Sequence, residues 1–169
     1  ASGTASFAFG SGITATADYA VGLNGIADKY GEFATLNTSS MQLRRAITGT
    51  AATELFLDGA SLTATIPSGE KWIVEIGCLA EIIVVGDGTG GLAIDDTFAA
   101  TYRCVIANKS GTTALVGTVQ NDMAAQYDAT MSDVTFTITA DNTGDYLKVT
   151  YTGGANTGST TQTRAYASL

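Results

Sequence analysis

Ser6-Phe-Ala-Phe-Gly10, Asp18-Tyr-Ala-Val-Gly22 and Glu32-Phe-Ala-Thr-Leu36 repeat one pattern: a polar residue, an aromatic, alanine, then two small or apolar residues. The units are spaced by 12 and then 14 residues, and Gly12-Ile13-Thr14 and Gly25-Ile26-Ala27 echo between them at 13. A short unit recurring in this way predicts one coil of a solenoid per unit, each burying its inward residues against the next. Ala8, Gly10, Ala20, Gly22 and Ala34 are the expected coil core, because a narrow coil has little room inside. So few coils are barely stable alone. The segment is therefore expected to lean on the rest of the chain or on further copies of itself.

The pattern changes near Thr38-Ser39-Ser40, which divides the chain into a repeat segment, 1–40, and a second domain, 41–169. Val134, Phe136, Ile138 and Ala140 alternate with three threonines, and Leu147, Val149 and Tyr151 alternate with Lys148 and Thr150. Period two of this kind reads as a half-buried strand. Ala140-Asp-Asn-Thr-Gly-Asp145 between them supplies turn residues, so the pair is an expected hairpin. Further strands are expected over 41–47, 54–57, 62–66, 71–85, 102–107, 113–119 and 162–167. About nine strands with turn signals at short intervals predict an antiparallel β-sandwich of jelly-roll-like type.

The 169 residues include 20 Gly and one Pro, which suits an all-β chain rich in turns. A net charge of −8 repels phosphate, so nucleic acid is excluded as an expected partner, and association with an anionic membrane is opposed. No apolar run approaches the ~20 residues that span a bilayer. The low charged fraction, 14 %, fits surface buried between subunits or simply a large core. The chain begins at Ala1, which fits either removal of a methionine or a piece of something longer.

Chemistry has few candidates. There is no histidine, which removes imidazole-based triads and most zinc sites. Asp95-Asp96 and the Glu54/Asp58 pair could in principle serve acid–base work, and solvated loop acids are the simpler reading. The run Gly86-Asp-Gly-Thr-Gly-Gly91, with Asp95 and Asp96, offers oxygen ligands but lacks the regular acidic spacing of a calcium loop. A hairpin tip is expected there, the loops Gly86 to Asp96 and Asp122 to Asp133 between strands are the expected attachment loops, and Asp87, Asp95 and Asp96 are the candidate binding-loop residues. Cys78 and Cys104 share strand parity with apolar neighbours and are expected as buried free thiols. Tyr127, Tyr146 and Tyr166 are the exposed aromatics suited to stacking on a sugar ring, or equally to a subunit interface. No catalytic residue, cofactor or metal is expected, and the chain reads as inert and assembled.

The first 40 residues resemble the β-roll repeats of YadA-type trimeric adhesin heads, where Ser-x-Ala-x-Gly units coil side by side in three chains. Ser6-Phe-Ala-Phe-Gly10 matches fully, the second unit has Asp for Ser, and the third lacks the Gly. Ala27-Asp-Lys-Tyr-Gly-Glu-Phe-Ala34 is similar to the last such repeat in bacteriophage tail-fibre proteins. The terminal β-domain of those proteins resembles Glu54-Leu-Phe-Leu-Asp-Gly59, Thr65-Ile-Pro-Ser-Gly-Glu-Lys-Trp72, Thr101-Tyr-Arg103, Leu115-Val-Gly-Thr-Val119 and Ala140-Asp-Asn-Thr-Gly-Asp-Tyr-Leu-Lys-Val149. The usual Trp-Val-Ala ending is Arg164-Ala-Tyr-Ala167 here. The resemblance implies a homotrimer on the virion surface: a fibre or spike tip that attaches non-covalently to a host-surface glycan or protein. Its alternatives are a capsid decoration or head-fibre protein held by other virion proteins and, with least support, a glycan depolymerase.

Overall fold

The computed structural model describes residues 40–169, together with two short strands, β1 (Phe7–Phe9) and β2 (Val21–Leu23). The chain divides into two compact units, residues 1–41 with Leu169, and residues 42–168. In the first unit β1 and β2 pair in parallel, with Phe7 opposite Val21, Ala8 opposite Gly22 and Phe9 opposite Leu23. The register is therefore 14 residues, where the sequence alignment of the first two units is offset by 12 and would match Ala8 to Ala20. Gly10, Ala20 and Ala34 lie outside the described residues, and with them the rest of the expected roll.

The second unit is all-β and sandwich-like. Its strands are β3 (Gln42–Thr48), β4 (Thr53–Glu54), β5 (Lys71–Val84), β6 (Thr97–Asn108), β7 (Thr113–Leu115), β8 (Gln120–Tyr127), β9 (Thr135–Asp141), β10 (Tyr146–Thr152) and β11 (Gln162–Ser168). The only helical turn among the described residues is a 3-10 turn, Ala129–Met131. One sheet runs β3-β11-β5-β6-β7, with β8 also paired to β6, and a smaller one runs β4-β10-β9. Every pairing in this unit is antiparallel. The segment around β4 joins the two sheets at one margin. Thr53 and Glu54 pair with β10, and two residues later Phe56 exchanges backbone hydrogen bonds with Arg44 of β3.

Alternation decides which side of each strand is buried. Along β5, Val74, Ile76, Cys78, Ala80 and Ile82 face inward, while Ile73, Glu75, Gly77, Leu79 and Glu81 alternate with them. The large sheet presents a tier of small residues to the core: Ala165 lies opposite Ala80, Ala167 opposite Cys78, and Cys78 opposite Ala100. The small sheet contributes the bulk. Phe136 of β9 lies 5.8 Å from Phe98 of β6 and 5.6 Å from Tyr151 of β10, ring centre to ring centre. Tyr151 is fully buried, and its hydroxyl reaches the Thr163 hydroxyl of β11 at 3.3 Å, so its one polar atom is partnered across the core. Small residues on one layer opposite rings on the other are how two flat faces interdigitate.

Several expectations change in the structure. The hairpin of β9 and β10 forms with Asp141 opposite Tyr146, and the Asp141 carboxylate accepts the N–H groups of Thr143 and Gly144. Residues 62–66 form no strand, because Asp58 Oδ1 gathers the N–H groups of Ala60, Ser61 and Leu62 into a turn. Only Thr65 makes an isolated bridge, to Tyr146. The strand expected over 113–119 stops at Leu115, where Gly117 takes a left-handed backbone (φ 84°), and β8 begins at Gln120. Cys78 and Cys104 are buried and free. Cys104 lies opposite Val74, four residues along β5 from Cys78, which separates the two by about 13 Å, too far for a disulfide. Burial pushes the Cys78 thiol up to about 12 and raises Cys104 as well.

The alanine tier supplies a direct check. Ala165→Leu should force the Tyr151 and Phe136 rings out of place and cost about 1–3 kcal/mol by chemical denaturation. An unchanged midpoint would mean that this tier does not face the rings.

Candidate functional site

Three connections meet at one end of the second unit: 85–96 between β5 and β6, 128–134 between β8 and β9, and 153–161 between β10 and β11. Gln42, where the chain enters this unit, pairs with Ser168, whereas these loops lie at the other end of β11, next to Gln162.

Short-range hydrogen bonds lock the three loops together. Asp87 accepts from the Thr160 N–H at 2.7 Å, the Thr160 hydroxyl at 2.8 Å and the Ser159 hydroxyl at 2.7 Å, and its own N–H donates back to the Thr160 hydroxyl. Close approach here requires small residues. A Cβ at Gly86 (φ +56°) would meet the Thr160 carbonyl at 2.6 Å, and one at Gly158 would collide with the Asp87 carboxylate. The hydroxyl of buried Thr161 donates to the Val85 carbonyl. Further along, the Thr89 N–H donates to the Asn156 carbonyl, and the Asn156 amide donates to the Thr130 carbonyl at 3.0 Å. Asp96 Oδ2 accepts from the Ala93 N–H and, at 2.6 Å, from the Thr130 hydroxyl. Asp128 closes the set by accepting from the Thr97 N–H at 2.7 Å.

The two loops named from the sequence are thus brought together, with a correction and an addition. Residues 120–127 are strand β8, so the second loop begins at Asp128, where the sequence reading starts it at Asp122. The third loop, 153–161, reads in the sequence as a Gly- and Thr-rich link to the last strand, with nothing local to mark Thr160 as the partner of Asp87.

The three acids named from the sequence divide in role. Asp87 and Asp96 are locks. The Thr160 N–H first, then the Ser159 and Thr160 hydroxyls, hold the Asp87 carboxyl well below the usual carboxylate range. Asp95 differs: its backbone is left-handed (φ 71°), its carboxylate enters none of the described hydrogen bonds, and it is exposed beside Ile94, which is 60 % exposed. Buried Leu92 anchors the loop beneath them. Glu54 and Asp58 also part company. Glu54 pairs with Lys148 at 3.2 Å, and the Leu62, Ala60 and Ser61 N–H groups hold Asp58 at about 2. Tyr127 lies parallel to Phe98 at 6.1 Å. Tyr146 is half-buried, and burial, then the nearby Glu54 and Asp141 carboxylates, push its hydroxyl up. Among the described residues no cluster of three His, Cys, Asp or Glu could hold a metal ion, and no helix is long and apolar enough to cross a membrane.

No known protein family and no curated protein sequence matches the chain.

The Asp87 clasp makes the loop end sensitive to pH in a defined direction. A carboxyl with a depressed folded pKa contributes above its unfolded value, near 4, and that contribution is lost as pH falls through the folded value. Asp87→Asn at neutral pH should therefore reproduce the loosening expected in strong acid. Protease cleavage within 86–92 and 154–161 should rise by about tenfold, the scale of losing charge-assisted hydrogen bonds. Equal cleavage of variant and parent would show that the clasp does not hold these loops.

Proposed function

We propose that this chain is the terminal part of a trimeric bacteriophage fibre or spike that attaches non-covalently to a host surface through the loop end of its second unit. The observation that carries the reading is the cross-locked set of three loops, built from Asp87, Asp96, Asp128 and Asn156. Rigid loops on a sheet scaffold are where recognition residues concentrate, and prior ordering lowers the entropic cost of binding. The end that carries them lies away from Gln42, where the chain enters the unit, as a tip requires. Thr89, Ala93, Ile94 and Asp95 are exposed there and mix apolar with acidic character.

Assembly draws support from the outer face of the large sheet. Ile73 is 78 % exposed, Leu79 and Met123 each 40 %, and small Gly77, Ala99 and Thr101 lie among them. Around these residues Glu75 and Asp122 neutralise Arg103, at 3.6 and 2.8 Å, so this part of the face, on β5, β6 and β8, offers another copy an apolar surface. The parallel pairing of β1 with β2 supports coiled repeats before this unit. Three copies present each loop three times, so weak single contacts add to strong avidity. Of the paired carboxylates, Asp96, Glu54 and Asp58 are committed to structural partners, which favours adhesion over hydrolysis.

Light scattering should return three chains per particle, and a monodisperse monomer at micromolar concentration would contradict assembly. The purified protein should be retained on host cells, and Ile94→Ser with Asp95→Asn should reduce retention by about tenfold while leaving the thermal midpoint in place. Binding to virus shells lacking the protein, with none to cells, would establish capsid decoration instead.

A further inference from the structure

Two of the chain's four arginines, Arg44 and Arg164, share the outer face of the large sheet. Arg44 and Arg45 of β3 and Arg164 of β11, with Ala46, Gly59 and Tyr166, line an open cleft of about 240 Å³. The register explains the convergence, since Tyr166 lies opposite Arg44 and Arg164 opposite Ala46. Arg45 lies opposite buried Ala165, so its side chain leaves by the other side of the sheet from Arg44: its guanidinium sits 5.2 Å above the centre of the Phe56 ring and donates to the Glu54 carbonyl at 3.3 Å. The described ion pairs engage Arg103 and Lys148, and none engages Arg44, Arg45 or Arg164.

The acids around the cleft leave an excess of positive charge. Glu81 lies opposite Arg164 on β5, and Asp58 precedes Gly59 with Oδ1 turned to the N–H groups of its own turn. The Glu54 carboxylate is with Lys148. Two exposed guanidinium groups, with only Glu81 facing one of them, leave a positive spot that attracts an anion on a chain of net charge −8. Arginine forks match carboxylate geometry by paired hydrogen bonds, and a tyrosine ring beside small Ala46 and Gly59 offers a flat wall for the C–H face of a sugar. The cleft is smaller than the roughly 300 Å³ at which drug-sized pockets begin, which suits one ring.

We propose that this cleft binds an acidic saccharide unit, with Arg44 and Arg164 taking the carboxylate and Tyr166 the sugar ring. The inference rests on the attachment reading above and names a ligand class for it, at a site separate from the loop tip.

The test titrates the full chain at low salt with trigalacturonate, with neutral galactotriose, and with inorganic phosphate and sulfate. Trigalacturonate should bind and galactotriose should not. Arg44→Gln and Arg164→Gln, both at exposed positions, should each weaken binding by about tenfold, and Arg164→Lys should restore part of it, since an ammonium cannot take the carboxylate by two bonds. Lys109→Gln, outside the cleft, should change nothing. Equal affinity in both glutamine variants, or equal binding of galactotriose, would overturn the proposal. Phosphate or sulfate binding as tightly as trigalacturonate would overturn the saccharide assignment. Cell retention lost in the Ile94/Asp95 variant but kept in both arginine variants, with no trigalacturonate binding, would sink this inference and leave attachment standing. Trigalacturonate binding that needs the arginines, without any cell retention, would do the reverse.

Discussion

Everything in the second unit depends on how two unequal sheets fill the space between them. The larger sheet places Ala80, Ala100, Ala165 and Ala167 on its inner face, and the smaller one fills the gap with Phe136 and Tyr151. The Tyr151 hydroxyl then has to find Thr163, because an unpartnered hydroxyl in that position would cost several times what the hydrogen bond contributes. This contact pins β10 against β11. It thereby fixes where the connection between them, 153–161, emerges, and the loop end inherits its geometry from the core.

The loops show a different balance of forces. Little apolar surface is buried there beyond Leu92, Met131 and Val134, so order comes from side chains that take over backbone donors. Asp58, Asp87, Asp96, Asp128 and Asp141 each accept from at least one backbone N–H. Five of the chain's sixteen acidic residues are thus employed in shaping turns. That is a reason for a strongly acidic composition that owes nothing to catalysis. The same acidity makes the arginine cleft stand out, since most of the surface would repel the anion that the cleft attracts.

How much of this was legible in the sequence depended on whether the signal was local. The hairpin of β9 and β10 was plain, because period two and the turn residues sit side by side. Most of β5 was equally clear. Strand β8 was missed because Asp122-Met-Ala-Ala-Gln126 has neither alternation nor β-branched residues, and it forms by pairing with β6. The N-terminal part of β6 was missed for a similar reason, since Ala99 and Ala100 carry little strand preference. Asp87, Asp95 and Asp96 could be named as loop acids, but their division into two locks and one outward group depends on Thr130 and Thr160, far along the chain. The arginine cleft was invisible for the same reason, since it needs β3 and β11 to be neighbours, and no local pattern joins Arg44 to Arg164.

The central claim is that the loop end is a rigid, pre-formed platform. Native-state hydrogen exchange tests it most directly, residue by residue. The amides of Asp87, Ala93, Thr97 and Thr160, each held by a side-chain oxygen, should exchange nearly as slowly as those in the middle of β5 and β11. Exchange at the rate of an open loop in these four amides, with the strands still protected, would contradict it.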